Sequence, residues 1–172
     1  MELNMDYIEA PWRSRYIDKA IADEKAGKDI CVLCEKAASK SEDDRDNLVL
    51  YHGKYNYVLM NLYPYTGGHL MIAPIRHINR LWLLTDEERI EHIDLLSKSL
   101  KILDEVYHPA GFNTGINFGR SAGAGIDQHM HNHIVPRWSG DANFMTVLGE
   151  TRVMNEALLD VYDKLLPYFK NL

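Results

Sequence analysis

No stretch of this 172-residue chain approaches the roughly 20 consecutive apolar residues of a membrane-spanning helix. The opening residues, Met1 to Asp6, lack the basic-then-apolar profile of a secretory signal. A soluble, cytoplasmic protein is expected. Positive charge is in short supply too: 19 Lys and Arg against 25 Asp and Glu leave a formal charge of −6. No basic field draws in duplex nucleic acid, so any phosphate ligand must be met by local donors. Internal repeats and composition breaks are also missing. With 46% apolar and 10% aromatic residues, the chain reads as one packed globular domain rather than disorder.

Cysteine is scarcer still, with Cys31 and Cys34 the only two. A reducing compartment argues against a structural disulfide, and no aromatic-Cys-Gly-Pro-Cys context marks a redox pair. Two thiols make half of a tetrahedral zinc site, which needs two further His or Cys ligands.

Histidine, by contrast, is plentiful. Three of the eight fall at every second position in His129-Met130-His131-Asn132-His133-Ile134-Val135-Pro136. The run ends in β-branched residues and is expected to be a strand over His129–Pro136, with all three imidazoles on one face. Rings aligned in this way bind a metal or an anion, or do chemistry. Immediately upstream, Asn117-Phe118-Gly119-Arg120-Ser121-Ala122-Gly123-Ala124-Gly125 is a loop of small residues. Such a backbone can turn several N–H groups toward an anion. The combination sets phosphate donors beside nucleophilic rings.

The remaining chain supplies a scaffold. Residues 14–27 read as a helix, Cys31–Ser39 as a turn or short helix, and Lys40–Asn47 as an exposed, charged linker. Strands are expected at Leu48–His52 and Tyr55–Asn61, joined by a hairpin at Gly53-Lys54, and then at His69–Pro74. Thr85-Asp86-Glu87-Glu88 has the form of a capping box. Beyond it Ile90, Ile93, Leu96, Leu100, Leu103 and Tyr107 form an apolar stripe, read as the core face of a long helix that ends before Pro109. Phe112–Phe118 gives a further strand. Met154, Leu158, Val161 and Leu165 mark a C-terminal helix, which Pro167 kinks or ends. The expected fold is α+β: an antiparallel five-stranded sheet, the long helix packed on one face, and a C-terminal helix. His52, His92 and His108 are read as solvated or structural, with His92 on the polar side of the long helix. Asn132, turned away from the triad, is expected to have a surface or network role.

The run from His129 to Val135 resembles the signature of the histidine triad (HIT) superfamily of nucleotide hydrolases and transferases. Ala10-Pro11-Trp12-Arg13, Asn61-Leu62-Tyr63-Pro64, Gly68-His69, Pro74-Ile75-Arg76-His77 and Pro136-Arg137-Trp138 follow in family order. The block Trp138-Ser139-Gly140-Asp141-Ala142-Asn143-Phe144 is similar to the branch related to diadenosine tetraphosphate phosphorylases. The resemblance implies a single HIT domain over 1–172, with an N-terminal helical extension (1–30) and a C-terminal helix (145–172). It implies a homodimer that pairs two sheets into one. It also implies a structural zinc on Cys31, Cys34, His77 and His129, with no organic cofactor.

Further roles follow from the same resemblance. His131 takes the nucleophile's position, His133 faces the same phosphate, and His69 matches an extra histidine near the leaving phosphate. Asn61 corresponds to a contact with the nucleoside sugar and Asn117 to one with the phosphate or leaving group. Ser121, Gly123, Ala124 and Gly125 supply loop donors, although Gly125 stands where many relatives carry Ser or Thr. The implied reaction is cleavage of a dinucleoside polyphosphate through a nucleotidyl-histidine, resolved by inorganic phosphate or by water. Arg120 and Arg137 are the candidates for a phosphate site. The alternatives are a nucleoside phosphoramidate hydrolase of the same superfamily and a non-catalytic nucleotide-binding module. A zinc-dependent nucleic-acid binder fits poorly with the acidic balance.

Overall fold

The computed structural model describes residues 31–141 and 156–172. The expected helix at 14–27, the N-terminal extension 1–30, and Met154 lie outside them. Five strands form one antiparallel sheet: β1 (Val49–His52), β2 (Asn56–Met60), β3 (Leu70–Pro74), β4 (Gly111–Ile116) and β5 (Asn132–Arg137). Their spatial order is β1-β2-β3-β5-β4, so β3 and β5 lie side by side inside the sheet.

Alternation along the strands divides the apolar residues between two faces. Leu50, Val58, Met60, Leu70, Ile72 and Ile134 pack under the long helix α3 (Asp86–Tyr107) and the C-terminal helix α4 (Leu158–Phe169). Val49, Tyr57, Leu59, Met71 and Ala73 face the other way and pack with Leu33 of a short helix, α1 (Val32–Ala37). Both faces are covered, which is why β2 and β3 read as unbroken apolar runs. Among the described residues no helix is long and apolar enough to cross a membrane.

The hairpin at Gly53-Lys54 forms as expected, and the reason for glycine is close approach. A Cβ there would lie 2.6 Å from the Asn56 carbonyl oxygen and 2.9 Å from the Glu91 carboxylate. Glu91, reaching down from α3, accepts the N–H groups of Lys54, Tyr55 and Asn56 at 2.7, 2.7 and 2.6 Å. Helix α3 starts with the predicted box: Thr85 accepts from the Glu88 N–H at 3.3 Å, and Glu88 accepts from the Thr85 N–H at 2.7 Å. It ends at His108, whose φ of 46° places it in the left-handed region just before Pro109.

Four expectations need correction. The segment Lys40–Asn47 is no plain linker, because Ser41–Asp43 form a 3₁₀ turn that leads into a short helix, α2 (Asp44–Asn47). Asp44 pairs with His52 at 2.8 Å, and Arg45 grips Asp163 of α4 through two bonds at 2.9 and 2.7 Å. The predicted stripe holds only in part: Leu103 is buried and Leu96, Leu100 and Tyr107 pack against the core, but the buried face of α3 runs through Glu88, His92, Leu95, Ser99, Ile102 and Leu103. Ile90 and Ile93 stand 71% and 61% exposed. His92 is therefore buried against the sheet, its Nδ1–H donating to Asn56 Oδ1 at 3.0 Å. Burial pushes that imidazole down to about 4. Asn132 is likewise buried rather than on the surface, its Oδ1 without a partner among the described residues.

The fourth correction concerns β5, which begins at Asn132, so of the three histidines only His133 lies in the strand. The His129 carbonyl accepts a bond from the His131 ring and the Met130 N–H bonds the Ile78 carbonyl at 2.7 Å, leaving neither group for a ladder.

Candidate functional site

His131 and His133 line a cleft at the start of β5, their ring centroids 4.9 Å apart. His131 is buried, and its Nδ1 lies 3.0 Å from the His129 carbonyl oxygen. A carbonyl only accepts, so Nδ1 carries the proton and Nε2 keeps its lone pair. Burial pushes this imidazole below its ordinary value, which keeps it neutral and nucleophilic. The second ring is set the opposite way. The Tyr65 N–H donates to His69 Nδ1 at 3.0 Å, so the His69 proton sits on Nε2. That nitrogen donates to His133 Nδ1 at 3.0 Å, so a neutral His133 carries its own proton on Nε2. Two adjacent rings thus hold opposite tautomers, one a base and one a donor.

The third histidine of the run does something else. His129 donates from Nε2–H to the Pro74 carbonyl at 2.8 Å, which leaves the Nδ1 lone pair facing both sulfurs, Cys31 Sγ at 3.3 Å and Cys34 Sγ at 3.4 Å. His77 Nδ1 lies 3.2 Å from Cys34 Sγ. The four ligand atoms all fall within 4.8 Å of one another. Ligands about 2.0–2.3 Å from a tetrahedral ion stand about 3.3–3.8 Å apart, so the sulfur–nitrogen distances of 3.2–3.4 Å lie close to those of a Cys₂His₂ site, and the widest pair draws in by up to about 1 Å on binding. Without a cation, burial and the neighbouring Cys31 sulfur push the Cys34 thiol up to about 11. A bound cation reverses that preference.

The expected binding residues are placed unevenly. Asn61 lines the cleft, its Oδ1 accepting the Tyr63 N–H at 2.9 Å. Gly125 lines it too, while Asn117, Ser121, Gly123 and Ala124 stand back from its wall. Gly119 and Gly123 have φ of 85° and 86°, a backbone only glycine adopts freely, and they bracket the 3₁₀ turn Arg120–Ala122. Arg137 is held by Asp141 at 2.6 and 3.0 Å and by Asn113 at 2.6 Å, at the far end of β5 from the histidines. Arg120 faces Asp127 at 3.5 Å.

Sequence reasoning missed two contributors. Tyr65 sets the His69 tautomer with its backbone and lays its ring beside both His69 and His133, with centroids 4.5 and 6.0 Å away. No pattern around Tyr65 signals this. The other is α1, whose Val32, Leu33 and Lys36 form one wall of the cleft. Its position between and beyond two metal-type cysteines was the available clue.

The family model of the HIT domain matches residues 42–140, and this chain belongs to that family. It is 44% identical over 117 residues to a Mycobacterium tuberculosis (strain ATCC 25618 / H37Rv) protein named AP-4-A phosphorylase. That match covers 68% of this chain and 60% of the relative, so the chain spans less than two thirds of that protein's length. A Bacillus subtilis (strain 168) relative, "Protein hit", is 26% identical over 117 residues, covering 68% of this chain and 77% of its own. Among solved structures, a Zn-bound histidine triad family protein from Mycobacterium smegmatis superposes with a TM-score of 0.63. That match covers 82% of this chain and 94% of the other at 20% identity, and it shows the shared fold.

Proposed function

We propose that this HIT protein is an enzyme that cleaves dinucleoside polyphosphates, diadenosine tetraphosphate foremost, through a nucleotidyl-His131 intermediate. The observation that carries the reading is the pair of opposite tautomers in one cleft. His131 Nε2 attacks the α-phosphorus in line, an N–P bond forms, and the bond to the bridging oxygen breaks as ATP leaves. His133 donates from Nε2–H to the phosphoryl oxygens as their charge grows, and His69 keeps His133 in that tautomer. In the second step an oxygen of inorganic phosphate attacks the same phosphorus, the N–P bond breaks, and ADP leaves with His131 neutral again. Water in place of phosphate gives AMP.

Asn61 takes the ribose, its carboxamide oxygen having a second lone pair for a hydroxyl. Val32, Leu33 and Gly125 contribute to the wall around the nucleoside. Asn117, Ser121, Gly123 and Ala124 belong to the loop that leads to Gly125, and its donors serve the phosphates. The 44% identity to the protein named AP-4-A phosphorylase supports phosphate as the acceptor.

Cys31, Cys34, His77 and His129 hold a structural zinc, and the name of the Mycobacterium smegmatis structure supports that choice of metal. When bound, zinc supplies a closed tetrahedral anchor with no open position for substrate. The protein acts as a homodimer in the cytoplasm. The sheet leaves β4 as an edge strand, with Asn113, Thr114 and Gly115 exposed, and that edge suits pairing with a second copy.

Product analysis tests the reading. The pure protein is incubated with diadenosine tetraphosphate with and without phosphate, beside His131→Ala. ATP plus ADP formed only with phosphate is expected. ATP plus AMP without phosphate means a hydrolase, and no turnover in either condition overturns the substrate.

A further inference from the structure

The Cys31–Cys34–His77–His129 centre and the cleft share parts of the chain. Cys31 is the N-cap of α1 and Cys34 lies within it, while Val32, Leu33 and Lys36 of the same helix line the cleft. This helix has six residues and no side-chain cap. A segment that short has no stability of its own, so its position depends on anchors outside it. The described anchors are the packing of Val32, Leu33 and Ala37, the Tyr57 hydroxyl, which donates to the Leu33 carbonyl at 2.7 Å, and Lys36 Nζ, which donates to the Asn47 carbonyl. The metal ligands on either side of Leu33 add a further hold.

A second link runs through residue 129. Its ring belongs to the Cys₂His₂ group, and its carbonyl fixes the His131 tautomer at 3.0 Å. A third runs through the segment after β3. The Pro74 carbonyl orients the His129 ring, His77 contributes a ligand, and the Ile78 carbonyl takes the Met130 N–H. Any shift in how these four side chains are held displaces one wall of the cleft and the peptide that orients the nucleophile.

We propose that metal binding at this centre and nucleotide binding in the cleft are thermodynamically coupled, so that each ligand tightens the other. The inference rests on the reading of the cleft as a nucleotide site. Linkage makes the coupling reciprocal: zinc raises the affinity for a nucleotide by the same factor as that nucleotide raises the affinity for zinc.

The central measurement uses the full wild-type chain. Zinc affinity is measured by competition with a chromophoric chelator, with and without saturating AMP. AMP affinity is measured by calorimetry on the zinc-loaded and the stripped protein. The expected result is a factor of about 5 or more, equal in both directions. Adenosine has no phosphate with which to ligate zinc, and it is expected to couple with the same sign. Equal AMP affinity in loaded and stripped protein overturns the coupling and leaves the nucleotide reading intact. Coupling by AMP but not adenosine overturns it as well, since the phosphate then reaches the metal directly. AMP binding in neither form overturns both. His77→Gln removes an exposed ligand that lies outside α1, and with it the zinc dependence of AMP affinity is expected to fall toward none.

Discussion

The two faces of the sheet each bury a histidine, and the two residues are alike in most respects. His92 lies on the inner face of α3 and His131 in the cleft, both nearly inaccessible, and burial pushes both below their ordinary range. Each gives one ring N–H to a fixed oxygen at 3.0 Å, Asn56 Oδ1 for His92 and the His129 carbonyl for His131. They differ in the nitrogen that remains. His92 Nε2 is buried with no hydrogen-bond partner among the described residues, whereas the His131 ring borders the cleft. Burial and one anchored nitrogen hold a histidine neutral on either face. Access for a phosphate is what turns that neutrality into chemistry.

Replacing His131 is the harshest test of this contrast. His131→Ala is expected to lower kcat/KM for diadenosine tetraphosphate by about 10⁴-fold or more while the protein still melts cooperatively. Retained turnover within tenfold removes His131 as nucleophile. His133→Asn, which deletes the ring donor, is expected to cost about 10²–10³-fold in kcat. Wild-type kcat/KM should fall on acidification with a midpoint below 6.5, because the His131 proton is held off by burial. An acid limb above 6.5 contradicts the assignment.

His92 gives the converse result, on stability. Its folded value of about 4 lies below the ordinary 6.5. Above pH 6.5 both folded and unfolded chains carry a neutral ring, and stability is complete. As pH falls from 6.5 to 4 the unfolded chain takes up a proton that the folded one refuses, so stability is lost, by about 3 kcal/mol at most. Below pH 4 this group adds no further change. Denaturant midpoints across that window should show a shallower acid loss in His92→Gln than in wild type. Equal slopes place the titration elsewhere.

The difference between the faces also explains what could be read from sequence. The hairpin, the capping box and the triad were legible because each depends on neighbours close along the chain. The buried face of α3 was not. Apolar spacing selected Ile90 and Ile93, yet the helix turns Glu88, His92 and Ser99 inward. Glu88 is buried because it caps α3 and binds Arg76 at 2.9 and 2.7 Å, and His92 because it meets Asn56. Partners 12 and 36 residues away leave no mark in a helical period. The tautomers were hidden for a related reason. Whether a ring is base or donor depends on which nitrogen faces a carbonyl or an N–H, and Tyr65 decides it for His133 through a backbone atom that nearly every residue type carries.

The gentlest test is a single methyl group added on the helix face. In Gly53→Ala the new Cβ meets the Asn56 carbonyl at 2.6 Å, and a backbone atom does not yield as the end of a side chain does. The hairpin must open slightly, lengthening the three N–H bonds that Glu91 accepts from Lys54, Tyr55 and Asn56. Crowding of this kind costs about 1–3 kcal/mol. The reduced freedom of alanine in the unfolded chain returns about 0.4–1 kcal/mol, so a net loss near 1–2 kcal/mol is expected. Because Asn56 Oδ1 also accepts the His92 Nδ1–H bond, part of that loss should vanish in the His92→Gln background, and a double-mutant cycle reads the shared portion. Turnover of diadenosine tetraphosphate should stay at the wild-type rate, since the cleft lies on the opposite face. A fall in kcat without a fall in melting temperature would mean that the two faces are not separable.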